Sequence, residues 1–414
     1  MEEIQGKMTT AVSFAKIMDD KSREQIRRMC DYELTAGSRV RIMPDVHAGK
    51  GCTIGTTMTI IDKAVPNIVG VDIGCGMYTV ALGKKPIDFE RLDKATHIVP
   101  VGMRVWDEKR AAFNLHQLYC YDKLKKLSWV EKSLGTLGGG NHFIEVDQAG
   151  DGSQYLVIHT GSRNLGKQVA NIYQRLAVEL NAGQASMAEQ IEKLIQEYKA
   201  AGREKELQGA IKQLKIGCRK LTMPEDLCYV YGKYLDAYLH DVELCQAFAR
   251  KNREEIARAL LAEMDLSAGE AFHTIHNYID TRERILRKGA IAAHQGEKVL
   301  IPINMRDGSI LAVGKGNAEW NYSAPHGAGR LLSRTQAKET LSLDEYRQEM
   351  QGIYTTSVNE ATLDEAPMAY KSLSDILDVI GDTAEVIEVL KPIYNFKAPE
   401  GEKWTKKDCS QSAQ

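Results

Sequence analysis

The segment Gly70-Val71-Asp72-Ile73-Gly74-Cys75-Gly76-Met77 sets a carboxylate and a thiol three residues apart between glycines, a spacing at which both can grip one metal ion. A second segment, from Arg41 to Gly51, carries Asp45 and His47 among glycines, and Asn141-His142, His159, His276 and His326 follow downstream. Of the ten histidines, His47, His142, His159, His276 and His326 lie in glycine- or asparagine-rich contexts that suit loops and form the candidate pool. An Asp, a Cys and three His mix hard and soft donors, a set that suits zinc or cobalt as well as manganese. Five ligands are enough for two ions sharing one of them, the arrangement common in phosphoryl transfer; a structural zinc site is the plainer alternative.

The stretch Ser323-Ala324-Pro325-His326-Gly327-Ala328-Gly329-Arg330-Leu331-Leu332-Ser333-Arg334 offers an imidazole on a glycine loop with two arginines behind it. It suits attack on a phosphate or stabilisation of its charge, and equally a helix N-terminus with surface arginines. Neither a GxxxxGK[ST] loop nor a GxGxxG turn after a strand occurs, so a nucleotide would be held in another way.

The elements that must position these residues follow from pattern. Residues 22–33 suit a short helix with Ser22 as N-cap, and Thr56–Ile61 and Tyr78–Leu82 read as β-branched strands. Residues 106–133 read as helical, Tyr155–His159 as a buried strand delivering a histidine at its tip, and 165–265 as helical, with a hairpin over 188–215 turning near Ala201-Gly202. Strands return at Lys298–Ile303 and Ser309–Val313, and a last helix is expected over 372–391. Strands and helices cluster without a βαβ rhythm, which predicts an α+β fold with the site between layered sheets: one catalytic domain over 1–398, a helical insertion near 166–265, and a polar, mobile tail over 399–414.

With 414 residues and 43% apolar residues the chain can bury a large core. A net charge of −2 gives no global field toward nucleic acid or anionic membrane and leaves room for local basic patches, so the composition neither supports nor excludes RNA binding. Eight scattered cysteines without a C-x-x-C pair, and no apolar run of spanning length, point to a soluble cytoplasmic protein with reduced thiols.

Taken together, MPDVHAGKG, GVDIGCGM, LGTLGGGNHFIEV, HTGSR, HNY, RKGA, SAPHGAGRLLSRT and EAPMAYK, in order from about residue 37 to Lys397, resemble the RtcB family of RNA ligases. The resemblance implies joining of RNA 2′,3′-cyclic phosphate or 3′-phosphate ends to 5′-hydroxyl ends, in tRNA splicing or RNA repair. It implies GTP as co-substrate, two Mn²⁺ ions, a histidine–GMP intermediate, and room for an activating protein partner. By the same resemblance the metal ligands are Asp72, Cys75, His142, His159 and His276, and His326 is the guanylylated residue. Asn141, Glu145, Gly327, Ala328, Gly329 and Lys397 would hold GMP with His326, and Arg163, Lys288, Arg330 and Arg334 would contact RNA phosphates. Where many members carry Pro-Gly-Ser-Met-Gly, this chain has Pro302-Ile303-Asn304-Met305-Arg306-Asp307-Gly308, which changes the guanine side of that loop. The competing readings are a metal-dependent RNA-end phosphoesterase and a noncatalytic RNA-binding paralogue.

Overall fold

The computed structural model describes residues 1–397 except 201–202, 204–205 and 211–220, and omits the side chains of 184–190 and 192. The turn expected near Ala201-Gly202, the Ile211 and Leu214 positions of the expected hairpin, and the 399–414 tail lie outside the described residues.

Alternating burial builds two main sheets. The six-stranded sheet runs Glu2–Gln5, Thr10–Ser13, Val40–His47, Ile54–Thr59, Ile285–Lys288, Asn277–Asp280. The seven-stranded sheet runs Ala271–Ile275, Gly76–Gly83, Gln154–Thr160, Phe143–Gln148, Ala384–Lys397, Gly308–Gly314, Lys298–Asn304. Within them only Thr10–Ser13 and Val40–His47 pair in parallel. Period-two alternation sorts the larger sheet's side chains: Ile144, Val146, Leu156 and Ile158 join one apolar cluster, while Met77, Phe143, Val157, Leu300 and Leu390 join another. That sheet curls until its edge strands meet, where Leu300 N–H donates to Thr274 Oγ1 at 3.1 Å.

His276 is the single residue between Ala271–Ile275, an edge of the large sheet, and Asn277–Asp280, an edge of the small one. Its N–H donates to Cys75 O at 2.9 Å and its carbonyl accepts from Ala290 N at 3.2 Å, so the crossing between sheets is fixed on both sides. The helix Lys233–Glu263 backs the large sheet, burying Leu235, Tyr238, Val242, Cys245, Phe248, Ala249, Ile256 and Leu260 at helical spacing.

Several expected elements are corrected. The first helix is Asp20–Cys30, capped by Asp19, which accepts from Ser22 N and Oγ at 2.8 Å each; Ser22 therefore sits in the first turn and is not the cap. Residues 106–133 are mostly irregular, with two three-residue 3₁₀ turns and one helix, Leu127–Lys132. The buried Asp241 carboxylate takes Tyr119 N and Cys120 N at 2.8 and 3.0 Å, diverting donors that a helix would have used. The helical stretch 165–265 is interrupted by Val230–Tyr231, a strand paired with Lys63–Ala64. The final helix stops at Ile380, and residues 384–397 form a strand between Phe143–Gln148 and Gly308–Gly314. There Val386, Ile387 and Val389 follow Gly381, and pairing on both sides overrides helical periodicity.

Candidate active site

Register brings the donors together. Gly76 pairs with Thr160 and Ile275, and His159 with Met77 and Phe143, so Cys75, His142, His159 and His276 stand at neighbouring strand ends. Cys75 Sγ lies 3.4 Å from both His142 Nε2 and His159 Nε2. His142 Nε2 is 3.0 Å from Asp72 Oδ2, and His159 Nε2 is 2.9 Å from His276 Nε2. Two triads thus share Cys75: Asp72, Cys75 and His142 in one, Cys75, His159 and His276 in the other, with the donor atoms of each within 4.8 Å of one another. Gly161 admits the carboxylate, since a Cβ there would sit 2.2 Å from Asp72 Oδ1.

The electrostatics favour a bound cation. Burial, reinforced by positive neighbours, pushes His159 and His276 well below the ordinary imidazole range, so both stay neutral with lone pairs available. Burial also works to raise Asp72, but the His142 hydrogen bond and the charges of His142 and Arg163 win and hold it below its usual range. Burial and the Asp72 charge push the Cys75 thiol well up, so a metal binding there must displace its proton. Convergent neutral imidazoles, a carboxylate and a thiol fit a divalent transition metal.

Asn252 and Arg253, on the buried face of Lys233–Glu263, tie the donor loops together. Arg253 Nη1 donates to Gly74 O at 2.7 Å and Thr160 O at 2.8 Å; Asn252 Oδ1 accepts from Gly135 N and Thr136 N, and its Nδ2 donates to Gly161 O. His142 Nδ1 is held by Leu137 O at 2.8 Å.

Beside the cluster opens a cavity of about 310 Å³. His326 lines it, 4.7 Å from His276 between ring centroids. Its Nδ1 donates to Asp45 Oδ2 at 2.6 Å and its backbone N–H donates to the same oxygen at 3.1 Å. That bond places the proton on Nδ1 and leaves the Nε2 lone pair free. Gly329, at φ +78°, lets the loop cross Asp45, whose carbonyl would lie 2.4 Å from a Cβ.

The far wall is organised by Glu365. Its carboxylate meets Lys397 Nζ at 2.8 Å, Arg334 Nη1 at 2.7 Å and Arg330 Nη1 at 3.4 Å, and accepts from the Tyr370 hydroxyl. Burial would raise Glu365, but Lys397 and Arg334 hold it down at about 2. Glu145, which accepts from Asn395 Nδ2, is pushed well up by burial and by Asp147 beside it.

The sequence-predicted residues therefore fall into three groups. His159, His276, His326, Asn141, Glu145, Gly327, Ala328, Gly329, Lys397, Arg330 and Arg334 line the cavity, and Asp72, Cys75 and His142 complete the donor cluster. Arg163 and Lys288 do not line it: Arg163 donates to Thr136 Oγ1 and Gly102 O, and Lys288 to Lys50 O and Asn67 O. Asp45, Asn252, Arg253, Glu365 and Tyr370 were missed as site residues. Their signals were present: Asp45 and Glu365 lie in quoted motifs, and Asn252-Arg253 interrupts an apolar helical stripe.

Comparison with known proteins decides the family. The family model described as tRNA-splicing ligase RtcB matches residues 25–119 and 119–398. The chain belongs to the RtcB family. RNA-splicing ligase RtcB of Escherichia coli K12 is 29% identical over 401 residues, covering 86% of this chain and 90% of that protein. RtcB1 of another Escherichia coli strain is 30% identical with the same coverage, and the tRNA-splicing ligase RtcB of Archaeoglobus fulgidus is 25% identical over 91% of this chain and 92% of its own. The α+β architecture agrees with family membership. Among the described residues no helix is long and apolar enough to cross a membrane.

Proposed function

We propose that this RtcB-family protein is an RNA ligase that joins a 3′-phosphate or 2′,3′-cyclic phosphate end to a 5′-hydroxyl end, with GTP as co-substrate. The names of its relatives, RNA-splicing and tRNA-splicing ligases, support the substrate class. The observation that carries the reading is His326, oriented by Asp45 through Nδ1 and lining a cavity beside the metal-capable cluster.

Asp72, Cys75, His142, His159 and His276 would hold two Mn²⁺ ions, which would neutralise charge on phosphate oxygens. His326 Nε2 attacks the α-phosphorus of GTP: the P–N bond forms, the bond to pyrophosphate breaks, and Asp45 stabilises the positive charge developing on the ring. Arg330, Arg334 and Lys397 line the cavity and would contact the phosphates and the nucleotide. A 2′,3′-cyclic end is first opened by water, which breaks the bond from phosphorus to O2′; an oxygen of the resulting 3′-phosphate then displaces His326, and the 5′-hydroxyl displaces GMP from the activated end.

We place the protein in a reducing compartment, the cytoplasm, because all six described cysteines are buried and unpaired. The test is incubation with Mn²⁺, GTP and RNA bearing a 2′,3′-cyclic phosphate and a 5′-hydroxyl. A GTP-dependent joined product is expected; opening of the cyclic end without joining would instead make the protein a phosphoesterase.

A further inference from the structure

His47 lines the cavity with His326, and one residue orients both rings. The Asp45 carboxylate takes His326 Nδ1, while the Asp45 carbonyl lies 2.9 Å from His47 Nδ1. A carbonyl oxygen only accepts, so the His47 proton resides on Nδ1 and its Nε2 carries the lone pair. No described residue bonds that Nε2, and the ring lines the cavity.

The other titratable acceptors on the cavity wall are engaged or sealed, apart from His326. His159 and His276 face each other through Nε2 within the donor cluster and their Nδ1 atoms are sealed without a partner, while Nε2 of His326, the nucleophile, is free again once GMP has passed to the RNA. Glu145 accepts from Asn395, and Glu365 is surrounded by Lys397, Arg334 and Tyr370. Among the described lining residues, His47 and, after GMP has been transferred, His326 are the bases with an open lone pair, and His47 is the one that carries no other step.

We propose that His47 is the general base of the joining step, an inference that rests on the ligase reading above. The 5′-hydroxyl oxygen attacks the phosphorus of the guanylylated RNA end and its proton passes to His47 Nε2. The new phosphodiester bond forms as the bond to GMP breaks, and GMP leaves with that electron pair. The charged and titratable groups facing His47 are Asp45, His326 and Lys371, and burial holds the ring below the ordinary imidazole range, in the neutral form a base requires. The ring that accepts the proton sits beside the Asp45 carboxylate, which stabilises the imidazolium produced.

The experiment follows each step separately in wild type, His47→Ala and His47→Gln: labelled GMP on the protein, guanylylated RNA, joined RNA, and RNA affinity. The joining rate is expected to fall by about 10²–10⁴-fold, the range general bases contribute. Adduct formation should fall by less than about tenfold, RNA affinity should change by less than about twofold, and guanylylated RNA should accumulate. Joining at the wild-type rate, or equal loss of adduct and joining, would overturn the proposal; equal loss would make His47 a support for Asp45 and His326. A wild-type protein that forms no adduct would overturn the ligase reading itself, a result obtained before any His47 variant is made.

Discussion

At the scale of single residues, the site depends on how imidazoles are held. The proposed nucleophile, His326, is oriented by a fully buried carboxylate, Asp45, which receives its Nδ1–H at 2.6 Å. Asp45→Asn keeps the shape but removes the charge that fixes the tautomer. Adduct formation is expected to slow by roughly 10²–10⁴-fold, as loss of a histidine-orienting carboxylate does elsewhere, while metal content stays the same. Rapid-quench labelling with GTP beside metal analysis checks this. The donors were legible in the sequence because glycine-rich segments advertise loops with chemistry at their ends. Asp45 was less so: its partner lies 281 residues away, and no local pattern announces a contact of that span.

At the scale of elements, the donor loops are held by a helix whose importance its apolar periodicity conceals. Arg253 is 1% exposed, and burial lowers its guanidinium to about 10, yet it satisfies Gly74 O and Thr160 O, the loops behind Cys75 and His159. Arg253→Leu leaves both carbonyls without their partner. We expect a loss of about 2–5 kcal/mol in stability, and a metal affinity lower by roughly 10–100-fold even where the variant remains folded. Denaturant titration and metal titration at low temperature measure the two effects. The strand Ala384–Lys397 is the converse case, where sequence pattern misled. Residues 373–380 are a true helix, but the strand that follows has partners on both sides and gains more from the sheet than from local propensity. The irregular 106–133 segment has the same cause, since Asp241 captures its backbone.

At the scale of the whole molecule, the α+β class was legible from clustered strands and helices, while the meeting of the two sheets was not. Nothing in the sequence separates the two strands joined by one residue, His276; only the tertiary fold assigns them to different sheets and makes the junction a metal-capable donor. Glu365 similarly joins the end of a central strand, through Lys397, to the segments bearing Arg330, Arg334 and Tyr370. Because the folded protein holds Glu365 at about 2, below its ordinary 4.5, its contribution of roughly 3 kcal/mol is fully present above pH 4.5 and disappears as pH falls toward 2. Glu365→Gln should be less stable at neutral pH and should lack this component of the acid transition, as measured by unfolding at a series of pH values. In the proposed reaction His326 carries the nucleotide. Purified protein is incubated with Mn²⁺ and α-labelled GTP and resolved by denaturing electrophoresis beside His326→Ala. An acid-labile labelled band in wild type alone is the predicted result. An unlabelled, metal-loaded wild type, or a band that survives in His326→Ala, would contradict the account.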